Sequence, residues 1–304
     1  MCPSAQLLAP IQVAIPVFGP ATGLPSLTRI APILGWRNPS RRKQTAEGKV
    51  MPMKDTSQDA LTKVPEVTLV FWIIKVAATT LGETGGDAVT MSMHLGYLVG
   101  TAIFAAIFLL AVYAQIQAKG FRPFLYWTTI IATTTVGTTM ADFADRSLGI
   151  GYAGGSSLLF FLLIASLAVW YRSLGTVSVV SVSAPKAEIF YWVTIMFSQT
   201  LGTALGDWTA STAGLGYEGG AVVFSALLLL VVVMYFSTNI SRTALFWSAF
   251  ILTRPLGAVV GDFLDKPIKA GGLAMNRFSA SAALLLFIAM SILVFQQRAA
   301  RQAH

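Results

Sequence analysis

Apolar stretches of membrane-spanning length follow one another between residues 66 and 297. Each is about 20 residues long, the length that a helix needs to cross a hydrocarbon core of about 30 Å. They lack the alternation of polar and apolar residues that marks barrel strands of about 10 residues. The pattern predicts an all-α, polytopic membrane protein with eight transmembrane helices, at 67–90, 97–117, 123–145, 152–172, 187–210, 217–237, 242–265 and 273–296.

Every second predicted helix carries the same residues at the same spacing. An aromatic-Trp pair recurs at intervals of 55, 65 and 55 residues, and its tryptophans are Trp72, Trp127, Trp192 and Trp247. Ten residues after each Trp stands a glycine, and fifteen residues after each Trp stands an aspartate. The four aspartates are Asp87, Asp142, Asp207 and Asp262. The chain therefore contains four parallel copies of a two-helix repeat.

The repeat register predicts the domain organisation. Repeats 1 and 2 occupy residues 66–175, a linker occupies 176–186, repeats 3 and 4 occupy 187–297, and a cytoplasmic tail occupies 298–304. Residues 1–65 are basic and interrupted by prolines, so they are expected to be a disordered N-terminal segment. An alternative is that the biological start lies at Met51 or Met53, with a gene-model extension before it.

With these features the chain resembles a bacterial family of integral membrane proteins built from four tandem copies of a repeat of unknown function. Two transmembrane helices and a tryptophan make up each repeat of that family, and the resemblance covers residues 66–296. The matching tryptophans are Trp72, Trp127, Trp192 and Trp247. The resemblance implies the architecture and no activity.

Charge is scarce and unevenly placed. Only 11% of the residues are charged, against about 25% in soluble domains. The net charge of +8 comes mainly from residues 1–65, which favours a cytoplasmic flank over nucleic-acid binding. Lys and Arg near the helix ends lie on the side of both termini, so we expect a multi-pass protein of the bacterial inner membrane with both termini cytoplasmic. Cys2 is the only cysteine, which excludes an internal disulfide.

The candidate site lies in the outer half of the membrane. Fifteen helical residues place each repeat aspartate roughly 22 Å from its Trp. If the odd-numbered helices are neighbours, Asp87, Asp142, Asp207 and Asp262 form a ring that is a candidate metal site. The residues seven and four positions before them extend a polar path: Thr80, Thr135, Thr200, Glu83, Thr138 and Thr203. Arg254 lies at middle depth and needs a buried partner, for which Glu83 is the candidate.

Small residues four positions apart predict close helix packing. On the odd-numbered helices they are Gly82, Gly86, Gly137, Gly202, Gly206, Gly257 and Gly261. The pairs Gly96/Gly100, Gly151/Gly155 and Gly216/Gly220 predict the same packing for the even-numbered helices. The repeat tryptophans and Trp170 are expected at the membrane interface, and Lys75 is expected to extend to the cytoplasmic interface.

Four carboxylates at one depth favour a transporter that moves a cation, either a divalent metal such as Mn²⁺ or Mg²⁺ or a proton-coupled solute. The expected partners are membrane lipid and that small cation or solute, without cofactor, enzymatic activity or nucleic acid; the oligomeric state stays open. The alternatives are a non-transporting sensor or assembly factor and, less favoured, an intramembrane aspartyl hydrolase, since only part of its Gly-Asp motif is present at Gly206-Asp207. A structural alternative pairs the aspartates with Arg146, Lys266 or Arg277.

Overall fold

A computed structural model describes residues 62–179 and 182–300, which form eight α-helices. They are α1 (Leu69–Asp87), α2 (Gly96–Gln117), α3 (Pro123–Asp142), α4 (Tyr152–Leu174), α5 (Pro185–Asp207), α6 (Gly216–Ser237), α7 (Arg242–Asp265) and α8 (Arg277–Val294). Each coincides with a predicted helix to within a few residues, so the all-α fold is confirmed for this part of the chain. Its β pairing is limited to one isolated bridge between Pro65 and Ala299.

Odd-numbered helices form a closed inner ring. In that ring α1 contacts α3, α3 contacts α5, α5 contacts α7, and α7 contacts α1. The even-numbered helices lie outside, each against the inner helix of the following repeat: α2 on α3, α4 on α5, and α6 on α7. The last outer helix, α8, packs on α1 and so joins repeat 4 to repeat 1. The fourfold register of the sequence is therefore also a fourfold packing pattern.

Five helices of the described residues, α2, α4, α6, α7 and α8, are long and apolar enough to cross a membrane. Only 11% of the apolar window of α2 and of α6 is buried inside the protein, against 61% for α7, which belongs to the inner ring. The other inner helices, α1, α3 and α5, are not among these five. Their polar residues face other helices rather than the surroundings, because the outer helices cover the ring.

Side chains seated on glycines form the junctions of the inner ring. In each repeat, the side chain seven positions after the Trp packs on a glycine of the preceding repeat, and that glycine stands ten positions after its own Trp. Around the ring, repeat 4 precedes repeat 1. The four pairs are Thr134 on Gly82, Gln199 on Gly137, Arg254 on Gly202, and Thr79 on Gly257. One turn further along, Gly86, Gly206 and Gly261 lie against Thr138, Ala258 and Glu83. All seven glycines to which the sequence assigns a packing role thus lie where two inner helices approach most closely.

Glycine has a different role at the start of the outer helices. Gly96, Gly151 and Gly216 have φ values of +74°, +75° and +66°, in the left-handed region that favours glycine. A Cβ at any of them would meet nothing within 4 Å. The prediction that they pack against a neighbouring helix is therefore wrong, because the connection from inner to outer helix needs their backbone conformation.

Several sequence predictions fall partly outside the described residues. They are the disordered segment 1–65, of which only 62–65 are described, the linker 176–186, which lacks 180 and 181, and the tail 298–304, described to residue 300. Within the described part, the Lys63 ammonium lies 2.6 Å from the Glu188 carboxylate. The Ala300 N–H donates to the Val64 carbonyl over 2.9 Å, which joins the two ends of the helical domain.

Candidate functional site

The inner ring gathers the repeat aspartates at one end. Asp87, Asp142 and Asp207 are the last residues of α1, α3 and α5, and Asp262 lies one turn before the end of α7. All four are buried. They lie at one level because the four inner helices run parallel and carry the same spacing from Trp to Asp. The odd-numbered helices are therefore neighbours, which is the condition that the sequence analysis set for a ring of aspartates.

A π-helical turn follows the aspartate in the first three repeats. These turns span Ala88–Ser92, Phe143–Ser147 and Trp208–Thr212. In repeat 4 the α-helix instead continues to Asp265, and Lys266 follows it. A π turn has i→i+5 hydrogen bonds, is rare, and occurs frequently at functional sites. The backbone is therefore irregular directly beside three of the four carboxylates.

Lys266 lies among three carboxylates. Its ammonium contacts Asp87, lies 2.9 Å from Asp262 Oδ1 and lies 3.8 Å from Asp265 Oδ1. Arg277 adds a contact of 2.6 Å to Asp265. The ammonium thus occupies the centre of an acidic group that joins repeats 1 and 4.

Arg146 has the same function between repeats 2 and 3. Its guanidinium lies 3.0 Å from Asp142 and 3.3 Å from Asp207. It also donates to the hydroxyl groups of Tyr97 and Tyr152. Every repeat aspartate is therefore ion-paired, as the structural alternative requires, and two cationic side chains hold the ring of acids together.

Both cationic groups stay protonated near neutral pH. Burial lowers the pKa of Lys266, but Asp262, Asp87 and Asp265 raise it by more, so that it lies above its usual value. Burial also lowers the pKa of Arg146, and there the carboxylates, Asp142 first, raise it by more. A raised folded-state pKa means that the stabilisation is present at neutral pH and is lost only as the pH rises through that pKa.

Deeper in the ring, Glu83 and Arg254 form the ion pair that their depth in the sequence indicates. The two charged groups are 3.0 Å apart, and the side chains are 3% and 0% exposed. Arg254 also donates to the hydroxyl groups of Thr138 and Thr203 and, over 3.5 Å, to the Thr79 carbonyl. All four inner helices thus contribute to one buried polar contact across the ring.

The predicted path is divided by this arrangement. Thr138 and Thr203 meet Arg254, whereas the hydroxyl groups one turn earlier do not. Thr80, Thr135 and Thr200 each donate to the carbonyl four residues back in their own helix, over 3.0, 2.8 and 3.0 Å. Such back-bonding satisfies a buried hydroxyl locally, so the geometry gives these three threonines no place among the groups that meet across the ring.

Two groups of three carboxylates have the spacing of cation ligands. In each group one oxygen per residue lies within 4.8 Å of the others: Glu83 with Asp87 and Asp142, and Asp87 with Asp262 and Asp265. Asp87 belongs to both groups, and its Oδ1 is buried without a hydrogen-bond partner among the described residues. Carboxylate oxygens are ligands for hard cations such as Mg²⁺ and Mn²⁺. The second group consists of the three carboxylates that Lys266 contacts, and Asp87 links it to the first group, so a metal ion at either place competes with the ammonium of Lys266.

At the other end of the inner helices, the repeat tryptophans form a closed aromatic ring. The aromatic residue before each Trp contacts the Trp of a neighbouring repeat. The pairs are Phe71 with Trp127, Tyr126 with Trp192, Tyr191 with Trp247, and Phe246 with Trp72, at centroid distances of 5.4, 5.9, 6.3 and 5.8 Å. The hydroxyl groups of Tyr126 and Tyr191 are hydrogen-bonded over 2.7 Å. These rings close the inner helices at this end.

The expectation for Lys75 is wrong, whereas the depth of the tryptophans in a membrane stays a prediction. Trp127, Trp192, Trp247 and Trp170 are buried within the protein and Trp72 is partly buried, because adjacent inner helices and α4 pack their rings together. Lys75 does not reach the interface: it is fully buried and its ammonium lies 4.1 Å from the Phe250 ring centroid. One signal in the sequence indicates this buried position: Lys75 shares its repeat position with the apolar residues Ile130, Ile195 and Phe250.

The fold and the site define a class of protein: an all-helical protein of membrane type, with four repeats around a buried charged centre. The chain belongs to the family described as Repeat of Unknown Function (DUF347), which matches residues 70–121, 125–176, 190–241 and 245–302. This match confirms the four-repeat family expected from the sequence. Searches of curated proteins and of solved structures gave no match.

Proposed function

We propose that this protein is a transporter that moves a small cation through its inner ring of helices. The observation that carries the proposal is the charge of the buried network at the end of that ring. Six carboxylates take part in its ion pairs, against four cationic side chains, Arg146, Arg254, Lys266 and Arg277. Buried charges are costly, so a surplus of negative charge favours binding of a cation or of protons.

The proposal places all eight helices across the bacterial inner membrane, with both termini in the cytoplasm. The polar helices α1, α3 and α5 can span it because α2, α4, α6 and α8 separate them from lipid. The distribution of Lys and Arg supports this orientation. The carboxylates then open toward the outer side and the aromatic ring closes the cytoplasmic side.

In this mechanism Glu83, Asp87 and Asp142 bind the cation, and Mn²⁺ or Mg²⁺ fits their oxygens best. Lys266 and Arg146 act as tethered cations that hold the acids when no substrate is bound. An entering ion competes with them for the same oxygens. Binding therefore loosens the contacts between neighbouring repeats, which couples the arrival of the ion to movement of the inner helices.

The Glu83 and Arg254 pair closes the path toward the aromatic ring. It lies between the acidic end and the tryptophans and is hydrogen-bonded to Thr138 and Thr203. An ion that binds Glu83 weakens its attraction to Arg254. We infer that separation of this pair is the step that admits the ion to the inner half of the ring.

The geometry gives less support to an aspartyl hydrolase. Such an enzyme needs two carboxyl groups that share a proton, whereas Arg146 lies between Asp142 and Asp207. A sensor or assembly factor would use the same cation site without flux, and it is distinguished from a transporter by the following experiment.

The test is cation uptake by the purified protein in proteoliposomes, against Mn²⁺, Mg²⁺ and monovalent cations, with and without a pH gradient. Asp142→Asn and Asp87→Asn should each reduce uptake at least tenfold, since each removes a ligand charge. Glu218→Gln is the matched control, because Glu218 is an exposed acid that belongs to none of these ion pairs; it should transport normally.

Three outcomes separate the alternatives. Uptake by the wild type that falls in both aspartate variants supports the proposal. Equal uptake in all variants refutes the site. Saturable Mn²⁺ binding without uptake of any cation favours the sensor over the transporter.

A further inference from the structure

The inner ring contains a second buried polar layer, between Glu83 and the aromatic ring, and Arg254 borders it. Lys75 lies in it, 0% exposed, with its ammonium against the face of Phe250. The ammonium has no hydrogen-bond or ion-pair partner among the described residues. An aromatic face attracts a cation but does not replace the charge that water provided. The layer thus holds a buried amine that no carboxylate of the described residues contacts.

Gln199 adds unused hydrogen-bonding groups to the same layer. It is 0% exposed, and neither its Oε1 nor its Nε2 has a partner in the described part of the chain. Gln199 occupies in repeat 3 the position that Arg254 occupies in repeat 4, so the parallel helices place both at one level. The Nε of Arg254 is likewise buried, and no residue that the structure describes bonds to it.

These residues lie close in depth. Lys75 and Phe250 are three positions after their Trp, and Gln199 and Arg254 are seven positions after theirs, which separates the two levels by about 6 Å of helix. Glu83 is paired with Arg254 over 3.0 Å, whereas the Lys75 ammonium lies against Phe250. Among the described residues, the Lys75 ammonium and several N–H donors therefore remain without a counterpart.

We propose that this layer binds a small monovalent anion, with chloride as the simplest example. Lys75 Nζ, Gln199 Nε2 and Arg254 Nε would donate to it. An anion meets both needs of the layer, because it accepts hydrogen bonds and places a negative charge beside the Lys75 amine, which holds that amine in its protonated form. Buried water would accept the same hydrogen bonds but would leave the charge uncompensated. The proposal goes beyond cation transport and assigns the inner half of the ring a ligand of opposite charge.

The test is thermal unfolding of the full-length protein in lipid nanodiscs as sodium chloride replaces sodium gluconate at constant ionic strength. Binding to the folded state should raise the Tm of the wild type with a saturable dependence on chloride. Lys75→Met should remove that dependence. Lys119→Met, which removes an exposed lysine, should retain it. Gln199→Leu should raise the chloride concentration at the midpoint of the Tm increase about tenfold. This variant provides the test if Lys75→Met does not fold.

A wild-type Tm that does not depend on chloride would overturn the proposal and favour a water-filled layer or a neutral amine. An unchanged chloride dependence in Lys75→Met or in Gln199→Leu would also overturn it. The readout needs no cation flux, so failure of the anion site and failure of the transport proposal can be distinguished.

Discussion

Separate and joint removal of the charges of Glu83 and Arg254 tests the reasoning about the centre of the ring. The variants are Glu83→Gln, Arg254→Met and the double variant. The side chains are 3% and 0% exposed and 3.0 Å apart, so neither charge can turn to water when its partner is lost. A buried pair of this kind costs about 3–5 kcal/mol when one partner is removed.

The two single variants should differ. Glu83→Gln leaves a guanidinium that cannot release its proton, so the whole loss of about 3–5 kcal/mol is expected. Arg254→Met leaves a carboxylate that can take up a proton and keep its contact with Thr138, so a smaller loss of about 1–3 kcal/mol is expected. The double variant leaves neither charge of the pair unpartnered and should lie within about 1–2 kcal/mol of the wild type.

The assay is equilibrium unfolding by denaturant in mild detergent, followed by circular dichroism. The double-mutant cycle gives the coupling energy of the pair. If the double variant lost as much stability as the two single variants together, the groups would be independent, and the buried ion pair between Glu83 and Arg254 would be wrong.

Two further predictions concern helix packing and the tethered cation. Gly202→Ala should unfold at a lower denaturant concentration than the wild type, because the new Cβ would overlap Arg254 Cβ and Cγ. The control Gly85→Ala, whose Cβ would have no described atom of another residue closer than 3.9 Å, should be neutral or stabilising by up to about 1 kcal/mol. Equal losses of stability in the two variants would contradict the packing. Lys266→Met should bind Mn²⁺ about tenfold more tightly in calorimetry, since it removes the competing ammonium; this change corresponds to about 1.4 kcal/mol. The control Lys269→Met removes an exposed lysine and should bind Mn²⁺ as the wild type does. Unchanged affinity in Lys266→Met would refute the competition between the ammonium and the metal ion.

Repetition made the sequence unusually informative about the elements. Four tryptophans in register located the inner helices, and fifteen residues from Trp to Asp placed the acids at one level. The partnership of Glu83 with Arg254 also followed from the sequence, since these were the charges at middle depth and a buried arginine needs a partner. Its two threonine contacts, Thr138 and Thr203, were within the predicted path.

Local spacing could not assign the remaining contacts. Arg146, Lys266 and Arg277 were candidate partners for the aspartates in the sequence. The order of the helices around the ring decides which of these cationic side chains joins which repeats. The predicted position of Lys75 at the interface was wrong for a related reason. A lysine near a helix end can extend to water or remain under a layer of aromatic rings, and only the neighbouring helices decide between these positions.

The sequence by itself determined the helices, their parallel repetition and the depth of each charged group, because these depend on the length and period of a single helix. Only the tertiary structure decided that the odd-numbered helices close into a ring, that α8 packs on α1, and that the tryptophans lie inside. The physical reason is that an apolar residue has a similar solvation free energy against lipid and against another helix. Lateral neighbours are therefore chosen by the fit of side chains such as Arg254 onto glycines such as Gly202, which hydrophobicity does not encode.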